Sequence, residues 1–376
     1  MRAALTASPA AAPVWVAAVG KAAIAMAHGA HEALGAAMVR TLIITRDTYG
    51  LDALPRAMAP EVWIGSHPVP DERSLAAGER LLAWVDGLPE AVQPLFLISG
   101  GASALVEVLQ PGATLADLEA LTRAALAADV AIGEFNARRR AISRIKGGRL
   151  AARLGGRTAQ ALFVSDVPHD DPAVIGSGLM GPAEGGDRIE RRVVASVDHA
   201  RSAIATRGAE WGLAVHAPAA RFAGEATRLA ARFAHELLLT PAQLCVWGGE
   251  STVQLPPHPG LGGRNQHLAL AAARLIAGQD DLLFLAAGTD GSDGPTDDAG
   301  ALVDGESCGR VTVAGLDVEH SLLTADSQRA LAAAGDLIHT GPTGTNVGDL
   351  AIGLNLSLAQ ARSWYERHAG GRAPVR

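Results

Sequence analysis

Leu282-Leu283-Phe284-Leu285-Ala286-Ala287 is an apolar run too short for an independent helix and suited to a buried strand. It opens into Gly288-Thr289-Asp290-Gly291-Ser292-Asp293-Gly294-Pro295-Thr296-Asp297-Asp298. There Gly and Pro end regular structure, and Asp, Ser and Thr crowd side-chain oxygens onto one loop. In α/β proteins ligands sit beyond the carboxyl ends of strands, which is where this loop falls. Its carboxylates repel one another, so a metal, an Arg or a Lys is expected to offset them. A solvated surface turn is the plainer alternative. An EF-hand is excluded: counting from Asp290, the third and fifth positions are Ser292 and Gly294, and no Glu stands at the twelfth.

The same strand-then-loop pattern recurs along the chain. Val14–Val19 reads as a buried strand turning at Gly20 into a helix over 22–34, with Lys21 at its start, a natural anion site. Strands follow at 41–45 and 62–64, then a helix over 72–86. The run 95–98 ends in Ser99-Gly100-Gly101-Ala102-Ser103, whose small residues would expose backbone N–H groups to a phosphate or carboxylate, tight packing being the alternative. The run 161–164 ends in a second acidic loop, Ser165-Asp166-Val167-Pro168-His169-Asp170-Asp171. Further on, the pattern predicts a strand over 192–197 and a helix over 198–210, then a strand over 213–216 and a helix over 222–238. A strand from Leu244, a helix over 265–277 behind Gly262-Gly263-Arg264, and an edge strand over 350–356 complete the reading.

The basic residues narrow the chemistry. Of 32 Lys plus Arg, only Lys21 and Lys146 are lysine, and both flank glycine. A chain that uses Arg wherever a surface cation will do has kept a compact point charge at two turns, as beside a phosphate. A net charge of -7 argues against nucleic acid as a partner. Two cysteines, Cys245 and Cys308, give neither a disulfide framework nor a Cys-rich metal site. No apolar run reaches membrane-spanning length, and the Ala-rich start, interrupted by Ser8-Pro9, reads as part of a cytoplasmic protein rather than a signal peptide. One stretch points elsewhere: Gly176-Ser177-Gly178-Leu179-Met180-Gly181, with Asp198 following, matches a dinucleotide-binding fingerprint. It would make the chain an NAD(P)-dependent reductase, although Pro182 and Gly185-Gly186 are a poor start for the required helix.

Laid out in order, VGKAAIAMA, SGGASALVE, SRIKGGRLA, SDVPHDDPAVIGSG, GGESTV, GLGGRNQ, AAGTDGSDGPTDDAGA and GPTGTNV resemble the glycerate 2-kinase family, whose C-terminal part is the MOFRL domain and which was once labelled hydroxypyruvate reductase. The resemblance implies two α/β domains, the N-terminal one Rossmann-like, with an inter-domain active-site cleft. The boundaries expected are 1–240 for the N-terminal region, with a hinge near 185–192, 243–350 for MOFRL, and 351–376 for a C-terminal strand and tail. It implies ATP-dependent phosphorylation of D-glycerate with Mg²⁺, and carries the family's catalytic lysine, aspartate and arginine onto Lys21, Asp166 and Arg264. Three departures touch the acceptor: Ala141 and His267 stand where the family has His and Glu, and Leu179 replaces a proline. They leave room for a non-catalytic sugar-acid sensor, and the oligomeric state stays open, with a homodimer in view.

Phosphoryl transfer is mostly positioning and charge neutralisation. Lys21 and Arg264 are expected on the phosphates, and Asp290 and Asp293 on the metal. Asp166 is expected as the base for the acceptor hydroxyl or as a further metal ligand. Ser99, Gly100, Gly101, Ser103, Lys146, Asn265, Gly344, Thr345 and Asn346 are expected to contact substrate or nucleotide.

Overall fold

The computed structural model describes residues 1–6, 12–127, 132–357, 359, 360 and 363, with backbone alone at 125–127 and 132–135. The chain divides into two compact units, one of Met1–Ser196 with Gly344–Val347, the other of Val197–Thr343 with Gly348–Arg376.

The first unit holds six parallel strands: β1 Val14–Val19, β2 Met38–Thr45, β3 Glu61–Ile64, β4 Gln93–Ile98, β5 Ala159–Val164 and β6 Ile189–Ala195. β1, β4 and β5 are buried along nearly their whole length, as expected for a parallel sheet covered on both faces, so they read as continuous apolar runs. Trp84, on the helix Glu72–Asp86, packs its ring 5.7 Å from both Trp15 and Phe96. Truncating a buried ring of this kind typically costs about 3–5 kcal/mol. The strand order β3-β2-β1-β4-β5-β6 is that of a doubly wound dinucleotide-type sheet. Its direction reverses between β1 and β4, which puts the ligand crevice beyond their carboxyl ends.

The second unit is a mixed seven-stranded sheet ordered β12-β11-β10-β13-β9-β7, with β8 also paired to β9. Its strands are β7 Val215–His216, β8 Phe222–Glu225, β9 Leu244–Thr252, β10 Leu282–Gly288, β11 Gly300–Asp304, β12 Leu337–Ile338 and β13 Asp349–Asn355. Phe233, Trp247 and Phe284 form its aromatic centre, with Phe233 stacked 4.5 Å from Trp247. The Ala-rich helix Arg264–Leu275 is buried at every position from Asn265 to Ala273, and small side chains let it pack that closely.

Several expectations are corrected here. The segment expected to begin a helix at 222 starts as β8, with Glu225 capping the helix Ala226–Leu239 from its side chain. The expected edge strand is β13, an interior strand paired antiparallel with both β10 and β9. β10 is half-buried rather than buried, because its antiparallel sheet exposes Leu283 while covering Leu282 and Phe284. The compact units divide at 196/197, because β7, β8 and the helices Val197–Glu210 and Ala226–Leu239 belong with the second sheet.

Candidate functional site

In the first unit the loops after β1, β4 and β5 converge at the switch point. Gly20 has φ 134°, and a Cβ there would fall 2.1 Å from Ser99 Oγ. The close approach lets Ala22 N donate to Ser99 Oγ at 3.0 Å and Lys21 N donate to Gly100 O at 2.9 Å. Lys21 occupies the turn just before the helix Ala23–Leu34, one residue ahead of the expected helical start. A methyl on Gly101 would meet Lys21 Cγ at 2.9 Å and the His67 ring at 3.3 Å, and one on Gly100 would meet Asp166 Oδ2 at 2.0 Å. The glycine pair thus brings β4's loop against both the lysine stem and the aspartate. Asn346 Nδ2 donates to Asp166 Oδ2 at 3.0 Å, which joins two expected site residues 180 positions apart. Gly344 and Thr345 belong to the same tetrapeptide in this unit.

Two residues expected here have hydrogen-bond partners within the protein. Ser103 Oγ lies 2.6 Å from Ser177 Oγ, which in turn donates to Asn136 Oδ1 at 2.8 Å. Lys146 is fully buried and donates its ammonium to Val106 O at 2.8 Å and Ala102 O at 3.3 Å.

In the second unit the organising residue is Arg264, at the start of its buried helix. Its Nε and Nη2 donate to Asp349 Oδ2 and Oδ1 at 2.6 and 3.1 Å, and its Nη1 lies 2.6 Å from Glu250 Oε1. Burial works to lower the pKa of Arg264, but the hydrogen bonds and charge of Asp349, with Glu250, outweigh it and hold the guanidinium charged. Asp349 and Glu250 escaped the sequence reading. The available signals were the Glu of GGESTV and the carboxylate opening β13, whose register places it opposite Gly249 of β9 and Gly288 of β10.

Asp293 is the principal correction. Its Oδ1 accepts from Asn265 N and Nδ2, both at 3.1 Å, and its Oδ2 accepts from Gln266 N at 2.7 Å. It therefore caps the N-terminus of the helix Arg264–Leu275 from 28 residues away, where a carboxylate suits the helix dipole. Asn265 is buried in the same cap rather than presented to a ligand. Asp290 Oδ1 accepts from Ser292 N and Oγ at 3.2 and 3.1 Å. Both Asp293 oxygens thus take donors from the helix end, and Asp290 Oδ1 takes those of Ser292 in its own loop. Among the described residues no group of three or more His, Cys, Asp or Glu is placed to hold a metal ion.

Burial pushes Asp293 up to about 6 against its amide donors, and Asp349 adds to the rise. The folded chain then binds more protons than the unfolded one between about pH 4 and 6, so this carboxyl's contribution to stability falls as pH rises through that window. Asp293→Asn should remove that slope. The melting temperature of the variant relative to wild type should be more favourable at pH 7 than at pH 4.5, whatever its absolute value. Parallel melting profiles for the two proteins would contradict the assignment.

The dinucleotide fingerprint is also corrected. Ile175–Ser177 forms a 3₁₀ turn capped by Gly178, not a strand-to-helix turn, and the first βα turn of the sheet is Gly20-Lys21. Asp198 opens a helix of the second unit and pairs with Arg221 at 2.9 Å and Arg201 at 3.2 Å. No helix among the described residues is long and apolar enough to cross a membrane.

A doubly wound parallel sheet with a lysine turn at its switch point, joined to a mixed sheet presenting a clamped arginine, defines a two-domain α/β architecture. The family model described as "Domain of unknown function (DUF4147)" matches residues 3–204, and that of the MOFRL family matches 243–349. The chain is 36% identical to the D-glycerate 2-kinase of Thermotoga maritima, over 90% of this chain and 89% of that one. It is 32% identical to the glycerate 2-kinase of Pyrococcus horikoshii, over 91% and 87%. The crystal structure of glycerate kinase from Thermotoga maritima superposes with a TM-score of 0.83 at 34% identity, covering 92% of each chain. The chain belongs to the glycerate 2-kinase family.

Proposed function

We propose that this chain is an ATP-dependent D-glycerate 2-kinase, with the Mg²⁺ complex of ATP as donor and 2-phosphoglycerate as product. The observation that carries the reading is the convergence of Lys21, Ser99, Gly100, Gly101, Asp166 and Asn346 at the switch point of the first sheet, in a chain of this family. Lys21 supplies a compact positive charge beside the N-terminus of a twelve-residue helix, suited to phosphate oxygens whose charge grows during transfer. Asp166, held by Asn346, takes the proton of the acceptor hydroxyl. As it does so, the hydroxyl oxygen bonds to the γ-phosphorus and the bond from that phosphorus to the β–γ bridging oxygen breaks, leaving ADP. In the second unit Arg264 is the cation available to an anionic ligand group. Its Nη1 is shared with Glu250, whose side chain is 57% exposed, so an anionic ligand group can replace that partner while Asp349 keeps the guanidinium oriented.

A coupled assay tests the proposal. Purified protein with Mg²⁺ and ATP should release ADP when D-glycerate is added, and should not oxidise NADH with hydroxypyruvate. NADH oxidation without ADP release would sink it. Binding of glycerate and ATP by calorimetry, with no product from any small hydroxy acid, would instead identify a sensor.

A further inference from the structure

Lys146 is one of the two lysines in a chain that otherwise uses arginine, and it sits inside the protein. Its ammonium reaches Ala102 O and Val106 O, which bracket the short helix Ala102–Leu105. The same lysine is fixed from its backbone: Lys146 N donates to Ser143 Oγ at 3.1 Å, and that hydroxyl donates to Glu107 Oε1 at 2.5 Å. Glu107 and Arg139, both buried, are the charged groups that face it, with Glu107 Oε2 3.6 Å from Arg139 Nε. At its other end the helix continues the Ser99-Gly100-Gly101 turn, which receives Lys21 N and Ala22 N and abuts the Asp166 carboxylate.

We infer that Lys146 is a positioning residue: by clamping the carbonyls around the helix Ala102–Leu105 it fixes the Ser99–Gly101 turn, and through that turn the placement of Lys21 and Asp166. The role rests on the kinase reading of that turn. Burial lowers Lys146 to about 7 against the attraction of Glu107, with Arg139 adding to the fall. A neutral amine keeps two N–H groups, enough for both carbonyls, so the clamp does not require the charge. An arginine fork could not enter a fully buried space shaped for an amine, which accounts for a lysine here.

Lys146→Met tests this directly. It is close in volume and leaves Glu107 and Arg139 as a balanced pair, so the protein should still fold, with a somewhat lower melting temperature because the carbonyls of Ala102 and Val106 lose their donor. The glycine turn, however, loses its anchor. A displacement of about an ångström at reacting groups can cost on the order of a hundredfold in rate, so kcat should fall about ten- to a hundredfold. In deuterium exchange the peptide 99–105, whose Ala104 and Leu105 amides bond to Gly101 O, should exchange faster than in wild type. Lys146→Gln, which keeps an N–H donor, should recover part of both effects, and it carries the same two measurements if the Met variant does not fold. Unchanged kcat and unchanged exchange at unchanged melting temperature would overturn the inference, as would loss of melting temperature with kcat retained. Absence of turnover in the wild type would remove the kinase reading alone, because the exchange measurement needs no activity.

Discussion

Lys21→Ala should lower kcat by about two to three decades while the protein keeps its fold. That range corresponds to the roughly 2.7–4 kcal/mol by which one preorganised contact to developing charge stabilises a transition state. Lys21 sits in a turn between β1 and the helix Ala23–Leu34 and is only half-buried, so truncation should cost little stability. Lys21→Arg should rescue little. The lysine stem runs against Gly101, where even a methyl would come within 2.9 Å of Cγ, and a planar fork needs more room than an ammonium. Kinetics and thermal melting measured together on both variants separate this from a surface lysine that merely precedes a helix. Near-normal turnover in Lys21→Ala would remove the β1 turn from the active site.

The parallel half of this fold was legible because its strands are buried on both faces, which makes them unbroken apolar runs such as Val14–Val19 and Leu95–Ile98. Val14–Val19 ends at a residue that sterics demand, Gly20, whose backbone lies at φ 134° against Ser99. The misreadings lie where pairing partners are distant in sequence. Phe222–Glu225 carries no alternation to mark a strand, since β9 supplies its hydrogen bonds. The interior place of β13 is set by its register with β9 and β10, which its own residues do not encode. At the site, the loops named the chemistry but not the direction of each side chain. Asp290 and Asp293 share one acidic loop, yet one makes a local turn with Ser292 and the other caps a helix that starts 29 residues earlier. Lys146 follows the same logic. Its glycine neighbours suggested a phosphate turn, and the carbonyls that take its ammonium lie 40 and 44 residues away.

Arg264→Ala should abolish most turnover and destabilise the protein together, and the two losses should be separable. Asp349 is 2% exposed and spends both oxygens on Arg264, with Asp293 close enough to be raised by its charge. Removing the guanidinium leaves that carboxylate buried and unpaired, which typically costs about 3–5 kcal/mol. Adding Asp349→Asn to Arg264→Ala removes the orphaned charge. The double variant should therefore regain much of the lost stability, because residues in direct contact do not contribute additively. Its turnover should stay low, since the guanidinium that Glu250 shares with an anionic ligand is gone. Asp349→Asn alone should keep the arginine but loosen it: Nη1 still has Glu250 as a partner, while the two-point clamp that fixes the fork is reduced to a neutral amide. A moderate fall in kcat, smaller than that of Arg264→Ala, is the expected result. Melting temperatures and steady-state rates for the two single variants and the double check all of this. Recovery of turnover together with stability in the double variant would show that Arg264 holds the fold and takes no part in the transfer.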